Sequence, residues 1–272
     1  MLRRIARRVI PVPVRVALLQ WPSMLSLLSL ERMQRDGLER THVVTSRTTP
    51  LRRERTGYDE HLQLAKEQNV ARAVSLLDGL TVPPGALFSW HRHIGPPVRW
   101  RGFAPGPELH DDRLESGGGG GLCQVANLLF YLAVHAGLEL VERHRHALDL
   151  FPDDSRTVPF GCGATVFFPR KDLRFRNTSG VPLTLTLSIH DGALHGALHA
   201  ERPLPYRCEL VEKDHRFERT HDAVFRRNRL FRLWHFEDGR HREEWLADHH
   251  ARVAYELAHQ PGGPLPRSGA TV

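Results

Sequence analysis

Apolar residues recur along this chain in two rhythms, and the rhythm changes near its middle. Between residues 59 and 80 they fall at Leu62, Ala65, Ala73, Leu76 and Leu77, a helical spacing that Asp78-Gly79 ends. A second helical stretch, 122–137, carries Leu122, Val125, Leu129, Leu132 and Ala136. Farther on the period shortens to two. Val181, Leu183, Leu185, Leu187 and Ile189 alternate with Pro182, Thr184, Thr186 and Ser188, the pattern of a half-buried strand. Asp191-Gly192 follows as a two-residue hairpin turn, and 193–199 returns. Further strands are expected at 138–143, 165–168, 206–211 and 230–236, with Asp238-Gly239 a second hairpin turn.

The expected fold is therefore α+β, with a helical N-terminal part, a central helix with a cysteine at its start, and an antiparallel, strand-rich C-terminal half. Residues 1–55 read as a basic N-terminal leader with a few helical turns, 56–258 as the folded domain, and 259–272 as a flexible tail rich in Gly and Pro. Val82-Pro83-Pro84-Gly85 is a turn, and Phe88-Ser89-Trp90 a short apolar segment. Residues 98–121 hold too many Gly, Pro and charged residues for regular structure and read as an ordered loop system.

Charge modifies this picture mainly at the N-terminus. The net charge is +7, from 38 basic and 31 acidic residues. Arg3, Arg4, Arg7, Arg8 and Arg15 all precede the first acidic residue, Glu31. Such an arm suits an acidic membrane surface or simple solvation, and no aromatic-and-basic code of a nucleic-acid module accompanies it, so no nucleic acid is expected as partner. Pro11, Pro13, Arg15 and Pro22 interrupt the apolar stretch, so no run reaches spanning length, and no small-residue cleavage site follows. The expected location is cytoplasmic or peripheral to the membrane.

The chemistry concentrates at the run Gly117–Gly121 followed by Leu122-Cys123-Gln124. Glycine loses more backbone entropy on ordering than any other residue, so the run is a loop, and it lets other groups approach its backbone closely. Cys123 then sits in the first turn of a helix, where unclaimed N–H groups and the helix dipole favour a thiolate. A lone cysteine is ordinarily a small buried hydrophobe, and Cys208, in an expected strand, and Cys162, between glycines, read that way. A nucleophilic cysteine needs a base, and His144 and His146 follow about twenty residues later, on the same face if the segment is extended. Asp149, Asp153 and Asp154 are candidates to orient the imidazole. The same Cys123, His144 and His146 could instead ligate zinc, as could the pair His91 and His93, but no CxxC or HExxH motif supports a metal and no cofactor is expected.

Phe88-Ser89-Trp90, Gly95-Pro96, Gly102-Phe103, the stretch from Gly119 through Cys123 to Leu128, and Glu142-Arg143-His144-Arg145-His146 resemble the VanW family. So do Phe151-Pro152-Asp153, Arg156, the stretch Pro159 to Val166, Asp172, Asn177, Glu212-Lys213-Asp214-His215 and Arg227-Asn228, over roughly residues 55–257. The resemblance makes 56–258 a VanW-like domain linked to peptidoglycan metabolism or glycopeptide resistance. It implies a cysteine acyl-transfer, L,D-transpeptidase-like reaction on a peptidoglycan stem peptide or precursor. Cys123 would be the nucleophile, His146 or His144 the base, Asp149 a further catalytic candidate. Gly119, Gly120, Gly121, Gln124 and Trp90 would serve substrate and oxyanion. Secreted relatives carry Asp before Ala-Thr-Val where this chain has Gly163. The alternative is a non-catalytic peptide- or glycan-binding module in which Trp90, Trp100 and Phe103 supply flat contact area.

Overall fold

The computed structural model describes residues 27, 29–35, 40–52, 60–110, 113–117, 119–145, 148–149 and 157–255. In chain order these form β1 (His42–Pro50), α1 (Glu60–Leu77), β2 (Thr81–Val82), β3 (Leu87–Ser89), α2 (Trp90–Ile94), a 3-10 turn Arg99–Arg101, β4 (Gly106–His110), β5 (Arg113–Gly117) and α3 (Leu122–His135). Then follow β6 (Glu139–Glu142), β7 (Leu148–Asp149), β8 (Arg174–Arg176), β9 (Leu183–His190), β10 (Ala193–Ala200), β11 (Tyr206–Arg219), β12 (Val224–Phe236) and β13 (His241–Val253).

The helix α3 is the centre of the core. Leu122, Val125, Ala126, Leu128, Leu129, Phe130, Leu132, Ala133 and Val134 are all buried, so the helix is apolar nearly all round and is covered on several sides. One cover is the sheet β1-β10-β9-β2. At Gly196 in β10 an added Cβ would lie 2.7 Å from Leu128, so the missing side chain is what lets strand and helix approach. A second cover is the sheet β11-β12-β13-β7. From it the buried Arg232 reaches the last turn of α3, donating to Leu138 O at 2.7 Å and Val134 O at 3.5 Å. A guanidinium there opposes the negative end of the helix dipole. The small sheet β3-β8-β6 and the hairpin β4-β5 complete the fold around the N-terminal end of α3.

The expectation of a helical N-terminal part within an α+β chain is overturned. Among the described residues thirteen strands stand against three α-helices, so the molecule is strand-rich throughout. Residues 42–50, read above as leader, are a strand that pairs antiparallel with β10 from His42↔Ala200 to Pro50↔Ala193. Its Val and Thr residues suit a pleated surface, but the pairing partner lies some 150 positions away, where no local pattern can announce it. Residues 106–117, read as loop, include the β4-β5 hairpin. Residues 165–168, expected as a strand, make only an isolated bridge from Phe167 to Lys171. β13 was not foreseen, and β11 and β12 run well beyond 206–211 and 230–236. The hairpin turn at Asp191-Gly192 does form, with φ of 50° and 68°, as a turn of that kind requires. The arginine-rich start, most of the first helical turns and the tail from 256 on lie outside the described residues. No helix among those described is long and apolar enough to cross a membrane.

Candidate functional site

Cys123 occupies the second position of α3, as the glycine run predicted. Gly121 stands at the helix N-cap with φ of 90°, a left-handed conformation glycine adopts freely, and no side chain caps the turn. The space glycine leaves is filled from within the protein. A Cβ on Gly121 would lie 2.5 Å from the side chain of Lys66, whose ammonium is buried against Leu51 O at 2.6 Å. Asn69 on α1 fixes the loop further, donating to Gly120 O at 2.8 Å and Ala104 O at 2.9 Å while accepting from Ala104 N at 2.7 Å. The loop is held rigidly by α1 rather than left open.

The Cys123 thiol is half-buried and points at the chain segment 165–166, with Sγ 3.8 Å from Val166 O. The same segment meets His144 on its other side, Thr165 N donating to His144 O at 2.8 Å. Thr165 and Val166 thus link the Cys123 thiol to the main chain of His144. His144 is partly exposed, and its Nε2 lies 2.9 Å from Glu142 Oε1. Two residues apart at a strand end, Glu142 and His144 share a face. Glu142 Oε1 also accepts from Asp172 N at 3.1 Å. Asp172, 1 % exposed, accepts from Ser89 Oγ at 2.6 Å, His91 N at 2.9 Å, Leu173 N at 2.9 Å and Arg174 Nε at 2.7 Å. A buried carboxylate satisfied four ways holds β3, α2 and β8 together beneath His144.

Other candidates are placed elsewhere. Asp149 is buried at the edge of the second sheet, where Oδ2 lies 3.3 Å from Arg226 Nη1 and accepts from Tyr255 OH at 3.0 Å. Glu142, not Asp149, is the carboxylate beside His144. Gln124 Nε2 donates to Pro50 O at 2.7 Å, fastening the end of β1. Trp90 is 1 % exposed and belongs to the core, as does Phe103 at 2 %, whereas Trp100 is 82 % exposed. His146, Asp153, Asp154 and Arg156 lie outside the described residues. Among the described residues no three His, Cys, Asp or Glu side chains are grouped to hold a metal ion.

Two further features lie beside this segment. His91, 3 % exposed, has both ring nitrogens buried without an aligned hydrogen bond, its ring edge-on to Phe168 at 5.2 Å. Burial pushes its pKa down, against the pull of Asp172 and Glu142 and of the Lys171 and Phe167 backbone nearby. It is a neutral imidazole on the same 166–171 turn that Cys123 faces. The second feature is the loop 159–165. Arg143 donates to the carbonyls of Gly161 and Gly163, stacks 4.2 Å over Phe130, and lies 3.2 Å from His249 Nε2. Burial lowers the Arg143 pKa to about 10, and Cys162 close by offsets part of that. At Gly163 a Cβ would meet Asn127 Oδ1 at 2.4 Å, and that same oxygen accepts from Ala164 N at 2.7 Å. Asn127 takes the space an acidic side chain would need.

Residues 65–199 match the protein-family description "VanW like protein". The chain is 29 % identical over 147 residues to the vancomycin B-type resistance protein VanW of Enterococcus faecalis, covering 54 % of each. It is 28 % identical over 152 residues to the uncharacterized protein YoaR of Bacillus subtilis, covering 55 % of this chain and 48 % of YoaR. The chain spans about half the length of the curated relatives it matches. No solved structure matches it.

Proposed function

Since this chain belongs to the VanW-like family through residues 65–199, we propose that it acts in cell-wall metabolism linked to glycopeptide resistance, as a cysteine acyl-transfer enzyme on peptidoglycan stem peptides. The relative VanW bears vancomycin resistance in its name. The observation that supports the chemical part is that the Cys123 thiol and the main chain of His144 contact the adjacent residues Val166 and Thr165.

In this reading the Cys123 thiolate attacks an amide carbonyl carbon, and the start of α3 stabilises the developing oxyanion through its dipole. The C–N bond breaks, and the leaving amine takes the proton that the imidazole received from the thiol. An acceptor amine or water then attacks the thioester and releases Cys123 as thiolate. His144, steered by Glu142, is the base.

The test is turnover of a synthetic stem peptide followed by mass spectrometry. Cys123→Ala is expected to abolish product. Glu142→Gln is expected to lower kcat by roughly a hundred-fold with little change in KM, because it orients the base rather than binding substrate. Full turnover by Cys123→Ala would remove the enzymatic reading and leave a binding module.

A further inference from the structure

Arginines crowd one face of the protein. The segment 29–35, α1, α2 and the 3-10 turn Arg99–Arg101 meet there. Arg92 Nε donates to Leu30 O at 2.6 Å, Arg72 Nε to Arg101 O at 2.9 Å, and Arg101 Nη1 to Pro96 O at 3.2 Å. Arg35 donates to Asp78 O and Ser75 O, each at 2.7 Å. These guanidiniums are fastened to neutral carbonyls. Among the described residues none of Arg32, Arg35, Arg72, Arg92, Arg99 or Arg101 forms an ion pair. Arg32 lies close enough to Arg101 and to the His93 imidazole to disfavour the charged form of both, and Arg72 acts on Arg101 likewise.

The face continues into an open groove of about 710 Å³ between Arg35, Arg40, Val74 and Ile189. Asp78 lines that groove, but its Oδ1 accepts from Leu187 N at 2.8 Å. Glu31 adjoins Arg32 along the chain and pairs with none of these arginines. An ordinary surface intersperses the two signs of charge, whereas among the described residues this face is mostly basic.

On the same face stands Trp100, 82 % exposed. Its indole makes no hydrogen bond or ring contact among the described residues. A guanidinium retains a planar fork of donors that matches a phosphate, and a tryptophan with an apolar body and one N–H suits the depth of lipid headgroups. A free phosphate would need the guanidiniums and not the indole.

We propose that this face docks on an anionic lipid surface, the arginines contacting lipid phosphates and Trp100 entering the headgroup layer. The docking is independent of Cys123. It is also distinct from any contact made by the basic residues Arg3–Arg15.

The experiment is sedimentation of the full chain with vesicles of phosphatidylcholine, with and without phosphatidylglycerol. Binding is expected only with phosphatidylglycerol and is expected to weaken with salt. Arg99→Gln and Arg101→Gln should each lower the partition coefficient about five-fold, in line with the attraction of one cation to such a surface. Brominated lipid should quench the wild-type fluorescence more than that of Trp100→Phe. Circular dichroism checks that each variant is folded; Arg99 and Trp100 are exposed, so their replacement leaves the core untouched. Vesicle binding unchanged in Arg99→Gln and Trp100→Ala would overturn the proposal, because the attachment would then lie elsewhere. Saturation by inorganic phosphate with no vesicle binding would also overturn it, making the face a site for a soluble anion.

Discussion

Gly163 shows how a single missing side chain shapes the candidate site. Asn127 Oδ1 stands 2.4 Å from where its Cβ would be. Gly163→Asp should cost about 0.5–1.5 kcal/mol by displacing the exposed Asn127 side chain from Ala164 N, read as a lower urea midpoint. Asn127→Ala in the same chain should recover part of that loss, so the two changes should be clearly non-additive in a double-mutant cycle. At this scale the sequence was legible where the local chain dictates geometry. Cys123 at a helix start and Gly121 at the cap follow from the glycine run alone. The carboxylate beside His144 was misread: Asp149 is close in sequence but turns toward Arg226 and Tyr255. Glu142 was the better choice on strand geometry, since residues two apart share a face.

Among the elements, α3 depends on a neighbour for its C-terminal end. Arg232, buried in β12, donates to Leu138 O just past the helix and is itself held by Glu244, which receives Arg232 Nη2 at 2.9 Å on each oxygen. Trp234 Nε1 also donates to Glu244 at 2.8 Å, and the Arg232 guanidinium lies 4.7 Å over the Trp234 ring. Arg232→Ala removes the bidentate partner of Glu244 and the donor to Leu138 O, while Trp234 Nε1 still donates to Glu244. Because Glu244 is partly exposed, a loss of about 1–3 kcal/mol is expected, the range for leaving buried hydrogen-bonding groups unmatched, measured by chemical denaturation. Restoring length without charge in Arg232→Met should recover part of the packing and none of the hydrogen bonds. The helices themselves were readable, because their period lies within the segment. β1 and the β4-β5 hairpin were not, because one needs a distant partner strand and the other carries no alternating pattern.

Across the whole molecule, buried histidines couple the fold to pH. Burial lowers His249 to about 3, helped by Arg143 and Arg145, and His93 to about 4, helped by Arg32 and Arg92. The unfolded chain binds protons at these sites near the ordinary pKa of about 6.5, and the folded chain refuses them. Stability is therefore complete above about pH 6.5 and falls as the pH drops toward 4 and then 3. The slope is about 1.4 kcal/mol per pH unit for each histidine. Denaturation midpoints measured from pH 7.5 down to 4.5 should fall steadily. His249→Gln, though less stable at pH 7.5, should show a shallower fall. An unchanged slope in that variant would mean that His249 is not protonated only on unfolding.

What the sequence by itself determined was local: two helices, the hairpin at Asp191-Gly192, the helix-start cysteine and the motifs that mark the family. Each rests on interactions a few residues apart, and these are written in spacing and turn chemistry. Tertiary structure alone decided that residues 42–50 join a sheet, that Lys66 and Asn69 fill the glycine loop, and that the Cys123 thiol and the His144 main chain both contact residues 165–166. It also gathered arginines from four separate segments onto one face. Such contacts are fixed by which surfaces must be buried together, and that choice belongs to the folded chain as a whole.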